Sequence, residues 1–151
     1  MNGRKIPEYC FRGIPKIEFI KDKLLLPEAL QFEKVEGRTD DYLENSINWE
    51  DDENAVQEIF NQVKRDGEIQ FKAGAAHINI QKVKAMLQSF IDTKELAYER
   101  KVIYDEYGNV VNSYHGNFLV SSKLNKSHRN MISSGIAFAT EEIIPNPKLN
   151  K

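Results

Sequence analysis

A single cysteine, Cys10, is all the thiol chemistry this chain of 151 residues carries. One thiol closes no internal disulfide, which excludes the stapled scaffolds of small secreted domains. Nucleophilic use of it needs a neighbouring base, and the sequence shows none. Long apolar runs are missing as well: no stretch approaches the roughly 20 residues of a membrane-spanning helix. Met1 to Phe11 carries Arg4 and Lys5 with no apolar segment behind them, so no secretory signal is read. Together these absences predict a cytoplasmic protein.

Net charge is also scarce. A formal charge of −2 gives no general attraction to nucleic acid or to anionic lipid, so neither is expected as a partner. The three histidines, His77, His115 and His128, stand far apart, and none has a second ligand at zinc-site spacing. No metal and no cofactor is expected. The chain has no P-loop, no dinucleotide fingerprint, no GxSxG elbow and no HExxH. A Ser–His–Asp arrangement assembled in space stays open, because sequence order does not reveal it.

What is present is the composition and length of one globular domain. Lys16–Ile20 and the stretch around Leu30 and Phe32 alternate and predict strands. Between residues 33 and 53, nine acids stand against Lys34 and Arg38, and this stretch reads as an acidic loop. Ala55, Val56, Ile59, Phe60 and Val63 form one helical stripe, predicting a helix over 54–65 capped by Asp51 or Asp52. Glu68–Ala73 reads as a strand and Gly74-Ala75-Ala76 as a link of small residues. A second helix over 80–91 follows, with Asn79 as its cap. A long strand over 95–105, a turn at Glu106-Tyr107-Gly108-Asn109 and a return strand from Val110 make a hairpin. Tyr114–Ser121 is a further strand with Phe118 and Val120 inward, and Ser127 opens a last helix that contains Gly135. The expected whole is one α+β domain over 1–144, with a mainly antiparallel sheet and about three helices packed on one face. An α/β arrangement is the alternative, and residues 145–151, after Pro145, are expected as a loose tail.

Candidate chemistry is thin. Glu50-Asp51-Asp52-Glu53 lacks the alternation and the glycine of a calcium loop, and reads as a helix start. His115 and Asn117 share a phase opposite to Phe118 and Val120, which places an imidazole and an amide away from the core. Lys123, Lys126, His128 and Arg129 then surround the predicted helix start, where backbone N–H groups attract anions. Their charge is opposite to that of 33–53, so the two patches could pair across a homo-oligomer interface. His77-Ile78-Asn79-Ile80 resembles one half of the 2H phosphoesterase pattern, but Asn stands at its third position and no second copy exists. His115-Gly116 with the downstream Gly135-Ile136-Ala137-Phe138-Ala139 resembles ADP-ribosyltransferases of the diphtheria-toxin type. That spacing is short, and too little chain follows Glu141 and Glu142 to complete such a fold.

Two functional readings follow. The favoured one is a non-catalytic binding or accessory protein acting through protein contacts or self-association, and it predicts a contiguous exposed apolar patch. The alternative is a small enzyme or ligand-binding domain for a phosphate-bearing molecule. That reading requires His115, Asn117, Lys126, His128 and Arg129 to converge in one pocket.

Overall fold

A computed structural model describes residues 5–90 and 95–150. Its strands are β1 (Tyr9–Ile14), β2 (Ile20–Lys21), β3 (Leu24–Leu25), β4 (Tyr42–Trp49), β5 (Gly74–Asn79), β6 (Ala97–Arg100), β7 (Ile103–Tyr104), β8 (Val110–Asn112), β9 (His115–Ser121) and β10 (Thr140–Ile144). The helices are α1 (Ala55–Phe60), α2 (Ile80–Phe90) and α3 (Lys126–Phe138). Six strands form one sheet in the order β10-β5-β1-β4-β9-β6, and every neighbouring pair is antiparallel. The fold is α+β. No described helix is long and apolar enough to cross a membrane.

Helix α2 forms where the apolar stripe predicts it. Ile80, Val83 and Leu87 are buried, and Asn79 caps it, its Oδ1 accepting from Lys82 N at 3.1 Å. Ile91, the last residue of the expected stripe, lies outside the described residues. In α3 the cap is Asn125 rather than Ser127, because the Asn125 side chain takes the His128 N–H at 2.8 Å. Gly135 has a packing reason: a Cβ there would lie 2.8 Å from Leu87 Cδ2, so the glycine lets α2 and α3 approach. Helix α1 stops at Phe60, well short of Arg65. Val63 is exposed and pairs with Ile69 instead, and Gly67, at φ +86°, turns the chain between them.

Several strand expectations fail. Lys16–Ile20 is mostly a 3-10 turn over Ile17–Phe19, and Leu30 ends another over Pro27–Leu30, which Pro27 initiates. Glu68–Ala73 is a loop with one bridge. The long strand over 95–105 breaks after Arg100 into β6 and β7. Conversely, the acidic 33–53 stretch holds β4, the central partner of β1 and β9, and the small-residue link is β5. Ala75 and Ala76 are fully buried in β5 because strands flank it on both sides. Gly74, at φ +108°, starts β5 where a Cβ would strike Ile144 O. Of the residues read as a tail, Asn146 is buried, with its amide on Phe71 O at 3.1 Å.

The two faces of the sheet differ in chemistry. On one face Cys10, Ile47, Trp49, Ile78, Phe118 and Val120 pack under Val83 and Leu87 of α2 and Ile132 and Ile136 of α3. Cys10 is fully buried, and burial pushes its thiol pKa well up, so it is inert as a nucleophile. On the other face, α1 packs its Ala55, Ile59 and Phe60 with Phe11 and Ala75, and Asn48 of β4 reaches Ala55 O. The helices therefore divide two to one between the faces. The remainder of this second face, over β4, β9 and β6, is mostly polar, with Glu44, Ser46, Asn48, His115, Asn117 and Glu99 around Leu119 and Ala97.

Candidate functional site

The sheet itself separates the five residues expected to converge. His115 and Asn117 project from β9 onto the polar face, opposite Asn48 and Ser46 of β4. Lys126, His128 and Arg129 start α3, which packs on the other face through Ile132 and Ile136. Asn117 is not exposed: it is fully buried, and its Nδ2 donates to Glu99 Oε1 at 2.8 Å. His128 Nε2 lies 2.6 Å from Glu95 Oε2, and the Arg129 guanidinium donates to Leu124 O. Lys126 is exposed and lines a shallow 110 Å³ cleft with Arg129. The pocket that the phosphate reading requires is therefore not assembled.

Five of the nine acids of 33–53 have partners within the chain. Arg38, its side chain 5% exposed, donates to Asp40 at 2.9 Å, to Glu44 at 2.8 Å and to both oxygens of Glu99 at 3.1 and 2.7 Å. Arg100 grips Asp51, His77 Nε2 meets Glu50 at 3.1 Å, and Tyr114 OH donates to Asp52 at 2.8 Å. The opposed-patch pairing between copies thus loses part of its acidic half. Asn48 and Asn112 form a second buried unit, with Asn112 Nδ2 on Asn48 Oδ1 at 2.9 Å and Asn48 Nδ2 on Ala55 O at 3.0 Å. Among the described residues, no group of three or more His, Cys, Asp and Glu side chains is placed to hold a metal ion.

At the far edge of the sheet, Glu141 of β10 collects Lys82 Nζ at 2.8 Å, Tyr9 OH at 2.9 Å and Asn79 Nδ2 at 3.1 Å. The Lys82 hydrogen bond, aided by those from Tyr9 and Asn79, holds the carboxyl down at about 2, below its ordinary 4.5. A depressed pKa means that the unfolded chain binds the proton first as pH falls. The contribution is present above pH 4.5 and is lost as pH drops towards about 2. The stability difference between wild type and Glu141→Gln, read by urea unfolding, should shrink across that window. A difference that stayed constant would contradict the assignment.

Two features of the polar face remain. The first is a cleft of about 240 Å³. Strands β1 and β4 pair at Cys10↔Trp49 and Phe11↔Asn48 and then part. Arg12, in phase with Cys10 and Ile14 on the helix-covered face, reaches the resulting gap from that side, its Nη1 donating to Ser46 O at 2.7 Å. Ser46, Phe71 and His115 line the opening. His115 Nδ1–H donates to Lys101 O at 2.8 Å, because a carbonyl only accepts. Nε2 is therefore the unprotonated nitrogen of the neutral ring, and burial lowers the His115 pKa to favour that form.

The second feature is the β7–β8 hairpin. Ile103, Tyr104, Tyr107, Val110 and Val111 are all exposed on it, Tyr107 at 82%. Its tip is fixed: Asp105 Oδ1 accepts from Tyr107 N and Asn109 N, each at 2.9 Å, and Gly108 takes φ +84°. The Gly-Asn turn signal and the valines after it were readable in the sequence. Their exposure was not, because the sequence does not say that the hairpin leaves the main sheet. The chain matches no family model, no curated protein and no solved structure.

Proposed function

We propose that this chain is a non-catalytic binding module that works through protein contact, with the β7–β8 hairpin as its contact surface. The carrying observation is the concentration of five exposed large apolar side chains within residues 103–111. Solvent penalises such a cluster unless a partner covers it, and tyrosines are among the residues enriched in contact surfaces. The Asp105 turn pre-orders the hairpin, which lowers the entropy lost on binding. Between Ile103 and Asn112 the charged residues are Asp105 and Glu106, with no lysine or arginine. The matching partner surface is apolar with a basic rim. A cytoplasmic setting belongs to the same proposal, supported by the lone, buried Cys10.

A Tyr104→Ser, Val110→Ser double variant tests the reading. Both side chains are exposed, so unfolding free energy should stay within about 0.5 kcal/mol per site of wild type. Sedimentation of the tagged chain in extracts of its own cells should show wild type in a heavier complex and the variant as the free chain. An unchanged heavy complex in the variant would overturn the hairpin as the contact surface.

A further inference from the structure

Among the described residues, Arg12 has no carboxylate in contact with it. Its Nε donates to Ala29 O at 3.1 Å and its Nη1 to Ser46 O at 2.7 Å, and both acceptors are neutral carbonyls. Among the described residues it makes no ion pair. Burial lowers its pKa to about 10, with the field of Glu33 opposing that without a direct contact. The guanidinium is still charged at neutral pH. A half-buried cation held by carbonyls alone carries a desolvation cost, and proteins ordinarily pair it. Arg38 and Arg100 of the same chain show the ordinary solution, each gripping carboxylates.

The position of Arg12 suggests what completes it. It lines the cleft opened where β1 and β4 part, and no acid lines that cleft. The exposed Ser46 and the side chains of Gln62 and Gln70 supply polar groups to it, while Phe11, Ile59 and Phe71 supply apolar wall. At 240 Å³ the space is below the usual range of about 300–1,000 Å³ for ligand pockets, which limits the occupant to roughly one ring. Arg12 is the one lysine or arginine in the lining, so a dianion would be left half compensated. A guanidinium matches the fork of a carboxylate, and Arg12 has used two of its five N–H donors.

We propose that the cleft between β1 and β4 binds a small organic monocarboxylate, its carboxylate on Arg12 and Ser46 and its aromatic or branched aliphatic body against Phe11, Phe71 and Ile59. The cleft borders the hairpin, because Ile103 also lines it, but the Tyr104→Ser, Val110→Ser variant leaves every lining residue in place, so the two proposals are tested apart.

The test compares phenylacetate with phenylacetamide, which has the same shape without the charge. Both are titrated into the full chain while backbone amide shifts are followed by NMR. Phenylacetate should bind saturably, shift the amides of Ser46 and His115, and bind at least about tenfold more tightly than the amide. Ser46→Ile, at an exposed strand position, should keep the unfolding midpoint and abolish binding by filling the cleft. Arg12→Gln, if it folds, should erase the preference for the acid. Equal binding of acid and amide would overturn the proposal, as would shifts confined to other surfaces or no saturation at about 10 mM. Displacement of phenylacetate by equal concentrations of inorganic phosphate would also overturn it, in favour of an unselective anion site.

Discussion

Arg38→Met should lower the unfolding free energy by about 3–5 kcal/mol. The reason is the company Arg38 keeps. Its side chain and that of Glu44 are each 5% exposed, and the same guanidinium also holds Glu99 at 2.7 Å. Removing the cation leaves Glu44 desolvated with only Lys101 Nζ, at 3.5 Å and half exposed, to answer it. The loss is therefore mainly the penalty of an uncompensated carboxylate, not the net worth of the pair. A second change, Glu44→Leu in the Arg38→Met background, removes that penalty and should restore most of the stability. Urea unfolding of the two single variants and the double variant reads this directly. A loss below about 1 kcal/mol for Arg38→Met would place the network among surface ion pairs of little consequence.

Trp49→Ala should cost a similar amount, about 3–5 kcal/mol. Trp49 is fully buried, meets Tyr98 and Phe118 edge-on at 6.3 and 6.4 Å, and donates from Nε1 to Glu99 O at 2.9 Å. Truncation loses the ring contacts and the indole hydrogen bond to Glu99 O. Trp49→Phe should cost less, because it keeps most of the packing. Gly116 reports on the same joint: a Cβ there would lie 2.1 Å from Trp49 Nε1 and 2.2 Å from Glu99 O. Both neighbours are fixed, so Gly116→Ala should destabilise by overpacking, at or above the usual range of about 1–3 kcal/mol. Wild-type thermal midpoints for either alanine variant would show that this joint yields more than the packing implies.

The parts of the fold that could be read from sequence are those written in local pattern. Ile80, Val83 and Leu87 declare α2 by spacing, and Gly108 declares a turn. What could not be read is written in distant partners. Strand β4 looks like an acidic loop because Glu44, Asn45 and Asn48 interrupt its apolar alternation. They are buried because Arg38, Gln31 and Asn112 reach them. Strand β5 looks like a linker because Ala75 and Ala76 are small, and smallness there answers crowding between β1 and β10. The phase of β9 correctly put His115 and Asn117 on the face away from Phe118, but nothing local says that α3 returns to the opposite face. Arg12 had no sequence signal at all. Its isolation comes from the parting of β1 and β4, which follows from the segment around Glu33 pairing with Glu44 through Glu33 N–H to Glu44 O at 2.9 Å.

Site-specific photocrosslinking in the cell reads the contact surface itself. A benzophenone amino acid is placed in the cell at Tyr107, on the hairpin, and separately at Ile17, also well exposed but off it. One discrete protein adduct is expected from position 107, absent from position 17 and lost when Tyr104→Ser and Val110→Ser are added. No adduct from 107, or the same adducts from both positions, would contradict the hairpin as the contact surface.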